Sequence, residues 1–399
     1  MSQPQPITQA VILAGGFGMR LRPFTLNTPK PMIPFLGKPF LEHLIELLKA
    51  NGIEEVILLV GYLHEQIEEY FGNGEKFGIS IRYSYSPVEA DTGMRLRNAY
   101  PLMDQTFLLL YGDNYWPLRL PDLMQYYEYS DRKALVTVYH NRDHATKNNI
   151  LVEDGLVKTY DRTRKKKHLN GVDIGFFILN KQALDPIPAD NFSFEEVIIP
   201  RLIAQSELAG FVTEHKYYGL STTDRIPVIQ EYFRPKKIIF LDRDGVINRR
   251  PPPAAYISEW GQFVLLPRVK EALALLCRKG YDIYVVTNQA GIARKKITRK
   301  QVDDIHNHLI EELKKSGVTI TDIAVCPHGW DEGCFCRKPN PGLFFDLSYK
   351  HHINLFESVC VGDDPRDIQA GRAAGCKTIL IGDNPDADYN NLFDAVTNL

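Results

Sequence analysis

Cys326, His328, Cys334 and Cys336 place three thiols and one imidazole within eleven positions. That is the ligand set of a closed tetrahedral zinc site. Four protein ligands leave no open position, so such a zinc is structural rather than catalytic. Arg337 and Lys338 follow at once, and Lys338 stands where a phosphate-handling site wants a cation. Upstream, Asp242 and Asp244 lie two residues apart, directly after the apolar run at 237–241. One carboxylate of such a pair can attack phosphorus. The other can protonate the leaving oxygen and later activate water. Asp363, with Asp364 beside it, offers ligands for a divalent metal. Thr287, Asn288 and Gln289 offer hydrogen bonds to phosphoryl oxygens.

A second cluster lies near the N-terminus. Gly15, Gly16 and Gly18 follow the apolar run at 9–14, with Arg20 two residues on. Glycines let backbone N–H groups approach phosphate oxygens, and Arg20 adds a cation. A dinucleotide fingerprint would open a helix at the third glycine. Here Pro23, Pro29 and Pro31 keep the chain in a loop past Lys30. Asp113 follows another apolar run, at 106–111.

These groups need strands to hold them. The runs at 9–14 and 237–241 are continuous, apolar and bounded by polar loops, as suits parallel strands covered on both faces. In the first half, helices are predicted at 40–50 and 65–70 and strands at 55–60 and 106–111. In the second half, helices are predicted at 268–279 and 299–316 and strands at 282–287 and 358–361. This alternation predicts two α/β domains of Rossmann type, 1–234 and 235–399. Shorter strands at 150–153, 156–160 and 172–179 predict an antiparallel addition to the first. A period-3.6 helix is predicted at 195–205. At 399 residues the chain is long for one core, which agrees with two domains.

The ordered set Asp242-x-Asp244, Thr287, Lys338 and Asp363 resembles the haloacid dehalogenase superfamily of phosphatases, over 237–383. The resemblance implies that Asp242 is the nucleophile and Asp244 the acid/base. It implies that Thr287 and Lys338 hold the phosphoryl group. Mg²⁺ would sit on Asp242, Asp363 and the main-chain carbonyl of Asp244, with Asp364 a weaker ligand. Only about twenty residues separate Gly245 from the helix at 268, too few for a cap domain. A capless member with Cys-x-His and Cys-x-Cys before Arg-Lys-Pro is similar to the D-glycero-D-manno-heptose 1,7-bisphosphate 7-phosphatases. Histidinol-phosphate phosphatases share much of the pattern and are the alternative. By the first resemblance Arg337 meets the far phosphate or the hydroxyls of the substrate.

The run from Gly15 through Arg20 to Lys30 and Met32 resembles the signature of sugar-1-phosphate nucleotidylyltransferases, over 8–233. That implies a metal at Asp113, nucleotide phosphates at Arg20 and Lys30, base or sugar at Thr92 and Gly93 with Glu89 before them, and sugar at Asp173. The family's second metal aspartate falls at Gly219 here, and Asp224 is displaced from it. The domain therefore acts with Asp113 and the triphosphate as metal ligands, or it is a nucleotide- or sugar-binding module with little transferase activity.

The two resemblances together imply consecutive steps of NDP-heptose synthesis for glycan assembly such as lipopolysaccharide. The distal phosphate of a sugar bisphosphate is removed, and the sugar 1-phosphate is then activated by an NTP, with GTP implied by the α-heptose branch. The small-molecule partners are thus sugar phosphates and an NTP, with Mg²⁺ and a structural zinc as cofactors. A net charge of −2 gives no field favouring nucleic acid or membrane. No apolar run reaches the roughly 18 residues of a bilayer span, and 1–9 lacks the features of a signal peptide. Cysteines clustered around His328 favour a reducing cytoplasm over a disulfide framework. Subunit contacts, for which the tyrosines at 126–129 are candidates, are left unspecified. Three smaller expectations complete the reading. The basic run 162–168 is a solvated hairpin or, at Arg162, a phosphate contact. His306 and His308 lie on a solvated helix face. Cys277, Cys360 and Cys376 are core.

Overall fold

The computed structural model describes residues 6–399, so part of the N-terminal segment judged free of a targeting signal lies outside the described residues. The chain divides into two compact units, Met1–Phe233 and Arg234–Leu399.

The first unit is built on a nine-stranded sheet. Its order is Ser80–Tyr85, Glu55–Val60, Gln9–Leu13, Thr106–Tyr111, Val172–Asn180, Ala134–Tyr139, Leu208–Thr213, Leu156–Tyr160, Ile150–Glu153. Gln9–Leu13 is central among the parallel strands, between Glu55–Val60 and Thr106–Tyr111. Every side chain of these two neighbours from Val56 to Val60 and from Phe107 to Leu110 is buried. A strand covered on both faces must read as an unbroken apolar run, which is how it reads. The later strands join antiparallel, apart from Leu208–Thr213 beside Ala134–Tyr139. The added strands thus extend one continuous sheet.

One predicted helix changes form. The segment at 195–205 is a π turn, Phe194–Ile198, leading into a short α-helix, Ile199–Ala204. Pro200 has no N–H to give to Glu196, so an unbroken α ladder cannot pass through it.

In the second unit the sheet is wholly parallel, in the order Asp322–Cys326, Tyr281–Asn288, Lys237–Leu241, Val359–Gly362, Lys377–Leu380. Ile239 and Leu241 enter the core on one face, Ile238 and Phe240 the core on the other. The chain winds one way from Lys237–Leu241 to the Cys326 edge, then the other way from Val359–Gly362. The topological switch therefore falls beside Lys237–Leu241, where open α/β sheets bind ligands past their carboxyl ends. Asp242, Thr287, Cys326 and Asp363 all stand at that edge. Among the described residues no helix is long and apolar enough to cross a membrane.

Gly93 is closely packed inside the first unit. It is buried in the helix Thr92–Ala99, and a Cβ there would stand 2.2 Å from the Phe192 ring. Gly93→Ala should therefore destabilise the first unit by about 1–3 kcal/mol through overpacking. Urea unfolding of the variant against the parent chain measures this, and an unchanged midpoint would contradict the packing account.

Candidate active sites

At the carboxyl edge of the second sheet lies a cavity of about 190 Å³, lined by Asp242, Asp244, Thr287, Asn288, Arg337 and Lys338 among others. Lys338 is 3% exposed. Its Nζ stands 2.6 Å from Asp242 Oδ1 and 2.6 Å from Asp367 Oδ1, and donates to the Val286 carbonyl at 2.8 Å. Burial works against the ammonium charge, but Asp242 and Asp367 outweigh it and hold its pKa above the ordinary lysine value. Burial also pushes the Asp242 carboxyl up, and the Lys338 charge pulls it back.

Asp244 has opposite surroundings. Burial raises its pKa, yet Arg243, Asn248 and Gln289 outweigh that and hold it below the usual carboxylate range. Arg243 Nη2 lies 2.8 Å from Asp244 Oδ2, Asn248 Nδ2 donates to Oδ1 at 2.9 Å and Gln289 Nε2 to Oδ2 at 2.9 Å. Arg243 in turn meets His306 Nε2 at 3.0 Å. His306 is buried, not on a solvated face, and burial pushes its pKa down to about 3, so it stays neutral. His308 is exposed, with its ring stacked against Trp260.

One carboxylate oxygen each from Asp242, Asp363 and Asp367 lies within 4.8 Å of the others. Asp363 Oδ1 is buried with no hydrogen-bond partner among the described residues. An orphaned buried oxygen in an all-carboxylate set fits a hard divalent cation such as Mg²⁺. The third carboxylate of the cluster is Asp367; the expected contribution of Asp244 is its main-chain carbonyl, its side chain being held by Arg243, Asn248 and Gln289. Asp364 stands apart as N-cap of the helix Pro365–Ala373 and partner of Arg366 and Arg250. Asn288 lines the cavity but spends its amide on Lys338, accepting from its N–H and donating to its carbonyl, both at 3.1 Å.

Cys326, His328, Cys334 and Cys336 converge, with Cys326–Cys336 at 3.3 Å, Cys334–Cys336 at 3.6 Å and His328 Nδ1–Cys336 at 3.2 Å. Their ligand atoms all lie within 4.8 Å of one another. A soft S₃N set at this spacing fits zinc.

The first unit holds two cavities of about 490 Å³ each. Arg20, Asp113, Arg162 and Glu195 line both. Gly15, Gly16, Gly18, Lys30 and Thr92 line one; Asp173, Arg164 and Lys216 line the other. Lys30 forms an ion pair with Asp113. Thr92 donates to Glu195 at 2.6 Å. Asp173 is buried and accepts from Tyr160 and from the Gly175 N–H, and burial pushes its carboxyl up to about 7. Glu89 is exposed and lines neither cavity. Gly219 pairs with Asn114 in a short antiparallel ladder, and Asp224 is exposed outside both cavities. Only Asp113 is thus in place of the two family aspartates.

A nucleotidyl transferase family model matches residues 9–217. The chain belongs to the nucleotidyl transferase family. Within this nucleotidyl transferase a HAD-hydrolase-like model matches residues 335–390. The second unit is 36% identical over 145 residues to D-glycero-beta-D-manno-heptose-1,7-bisphosphate 7-phosphatase of Bordetella bronchiseptica, covering 36% of this chain and 80% of that relative. It belongs to that phosphatase family, so the chain carries a nucleotidyltransferase and a phosphatase. The first unit is 31% identical over 206 residues to mannose-1-phosphate guanylyltransferase catalytic subunit beta of Drosophila pseudoobscura pseudoobscura, covering 50% of this chain and 56% of that relative. The crystal structure of HddC from Yersinia pseudotuberculosis superposes with a TM-score of 0.50 at 24% identity. It covers 57% of this chain and all of HddC, a likeness of fold alone.

Three site residues of this nucleotidyl transferase are not singled out by the sequence reading. Asp367 lies four residues after Asp363, one helical turn away, a spacing that could have flagged it. Glu195 is brought to Thr92 only by the fold. Arg95 is buried and donates to the carbonyls of Gly15, Val60, Pro87, Val88 and Ala90. It tethers the glycine loop to its neighbours, and a Cβ at Gly15 would meet its guanidinium at 2.1 Å.

Metal analysis of purified protein should find about one zinc per chain. Stripping it with a strong chelator should lower the melting temperature of the phosphatase unit, whereas metal-free protein of unchanged melting temperature would refute the site. Asp173 gives a pH-dependent expectation. With its folded pKa near 7 against about 4 unfolded, the folded state holds the proton longer. Stability from this group is complete below about pH 4 and lost as pH rises through 7. Asp173→Asn should therefore gain melting temperature over the parent at pH 8 but not at pH 4. An equal difference at both pH values, read by calorimetry, would count against it.

Proposed function

We propose that the chain is a bifunctional enzyme of NDP-heptose synthesis. Its phosphatase removes the 7-phosphate of D-glycero-D-manno-heptose 1,7-bisphosphate, and its nucleotidyltransferase joins the resulting sugar 1-phosphate to a nucleotide. The observation that carries the reading is Lys338, buried between Asp242 and Asp367 at the switch edge of a sheet whose relatives bear the name of heptose bisphosphatases. A histidine-synthesis phosphatase would have no use for the nucleotidyltransferase beside it.

In the phosphatase, Asp242 Oδ attacks the phosphorus of the 7-phosphate and the bond to the sugar oxygen breaks. Asp244 gives that oxygen its proton. Water then attacks the aspartyl phosphate, Asp244 takes a proton from it, and inorganic phosphate leaves with Asp242 restored. Held ionised by Arg243, Asp244 is matched to the second step. The phosphoryl dianion arriving beside it raises its proton affinity, so Asp244 enters the first step holding the proton it took from water in the preceding turnover. Lys338 and the Thr287 hydroxyl meet the phosphoryl oxygens, and Asn288 fixes the main chain of Lys338. Arg337, held by the His328 carbonyl at 3.2 Å, faces the rest of the substrate. Mg²⁺ held by Asp242, Asp363 and Asp367, with the Asp244 carbonyl nearby, would offset charge on the transferring group.

In the transferase, an oxygen of the sugar 1-phosphate attacks the α-phosphorus of the NTP and pyrophosphate leaves. The Gly15–Gly18 loop, Arg20 and Lys30 hold the triphosphate, and Asp113 would hold a Mg²⁺ that would offset its charge. Thr92, hydrogen-bonded to Glu195, meets the base or sugar, and Asp173 faces the sugar. The guanylyltransferase relative supports GTP as donor.

Asp242→Asn should lower phosphate release from heptose 1,7-bisphosphate by at least about a thousandfold, as loss of a covalent nucleophile does. Turnover within tenfold of the parent would sink the nucleophile assignment. Pyrophosphate release from GTP and heptose 1-phosphate should fall at least about a hundredfold in Lys30→Ala and in Asp113→Asn. If no NTP supports release from the parent chain, the first unit is a binding module.

A further inference from the structure

The phosphatase cavity is lined by more cations than one phosphoryl group requires. Beyond Lys338 and the buried Arg243, it presents Arg250, Arg337 and Arg366. Arg250 and Arg366 converge on a single carboxylate. Arg366 Nη2 lies 2.7 Å from Asp364 Oδ2 and its Nε donates to Oδ1 at 2.9 Å, while Arg250 Nη1 lies 3.3 Å from Oδ2. The two arginine side chains are 46% and 54% exposed. Half-exposed ion pairs contribute little to stability, so stability does not account for this convergence.

Asp364 is not in the carboxylate cluster that fits a metal. It is fixed as helix N-cap, its side chain accepting from the Arg366 main-chain N–H. A carboxylate held in that way can aim two guanidiniums without competing for the divalent ion. Arg250 also reaches Asp363 with Nη2 at 2.8 Å and the Asp244 carbonyl with Nε at 3.4 Å. A metal on Asp363 would compete with that Nη2 contact and free one edge of the guanidinium. The cavity mouth is then left with a surplus of positive charge around Asp364, which calls for a further anion. Arginine presents paired N–H donors that match phosphate oxygens.

We infer that Arg250 and Arg366, aligned by Asp364, form a second anion subsite at the mouth of the phosphatase cavity, which takes the phosphate that is not hydrolysed. This rests on the bisphosphate reading above. Asp364 is a positioning residue, acting through the two arginines. The subsite lets a capless enzyme select a bisphosphate over a monoester.

The experiment compares steady-state turnover of heptose 1,7-bisphosphate and of p-nitrophenyl phosphate by the full chain at saturating Mg²⁺. The parent is set beside Arg250→Ala, Arg366→Ala, the double variant, and Arg366→Lys. Each alanine should raise KM for the bisphosphate about tenfold with a smaller change in kcat. The ratio of kcat/KM between the two substrates should fall at least tenfold, with partial recovery in Arg366→Lys. Asp364→Asn should raise the bisphosphate KM in the same direction. Titration calorimetry with heptose 1-phosphate, which keeps only the retained phosphate, should show about tenfold weaker binding to the phosphatase unit in the double variant. The nucleotidyltransferase unit is identical in the parent and the double variant, so its own heptose 1-phosphate signal cancels in the comparison. Equal losses on both substrates, or unchanged heptose 1-phosphate binding, would overturn the subsite while leaving the bisphosphatase reading intact. A parent chain with no preference for the bisphosphate would overturn that reading, and the subsite with it.

Discussion

A lysine ammonium buried between two carboxylates is the constraint around which the phosphatase unit is arranged. Lys338 Nζ, 2.6 Å from both Asp242 and Asp367, is almost wholly withdrawn from the surface. Losing the lysine would leave two carboxylates facing each other in the interior, a far larger penalty than losing a surface pair. Three separate strands must therefore end in register: Lys237–Leu241 to deliver Asp242, Tyr281–Asn288 to deliver the Val286 carbonyl and Asn288, and Val359–Gly362 to start the helix that carries Asp367. The parallel pairing of these strands fixes that register, and the buried residues on both sheet faces fix the pairing.

The nucleotidyltransferase unit meets a similar demand with backbone rather than carboxylates. Arg95 places a guanidinium in the interior and satisfies it with five main-chain carbonyls. The glycine loop, the end of Glu55–Val60 and the 87–90 segment are thereby tied to one side chain. Burial lowers the proton affinity of this group, with Asp91 and Glu89 opposing that from the loop it holds. Glu89, expected to touch substrate, lines neither cavity and adds to this field.

Both strands that open a site were legible because a strand buried on two faces cannot hide its composition. The convergence of Asp242, Asp244, Thr287 and Lys338, and that of the Cys/His cluster, were legible because each residue sits at a strand end or in a short loop, where sequence order is close to spatial order. What escaped was carried by helices and by tertiary contact. His306 was read as solvated, although Val302, Ile305, Leu309 and Leu313 form the buried stripe of its helix and His306 falls on it. A histidine on such a stripe needs a polar partner, and Arg243, hidden between two conspicuous aspartates, supplies it. Glu195 could not be linked to Thr92 from 103 positions away. The π turn followed from Pro200, a local cue that the 3.6 period masked.

The Cys/His loop separates what must be invariant from what need not be. Cys326 closes the edge strand and Cys336 abuts Arg337 and Lys338, so the cluster pins the base of the loop. Residues 330–333 stand exposed beyond it, with Trp330 stacked under the Arg294 guanidinium at 3.6 Å. Substitutions or insertions in that crown need not move the lysine. Evolution can thus vary the length and chemistry of the loop while the reacting centre below stays in place, much as an antibody framework tolerates changing hypervariable loops.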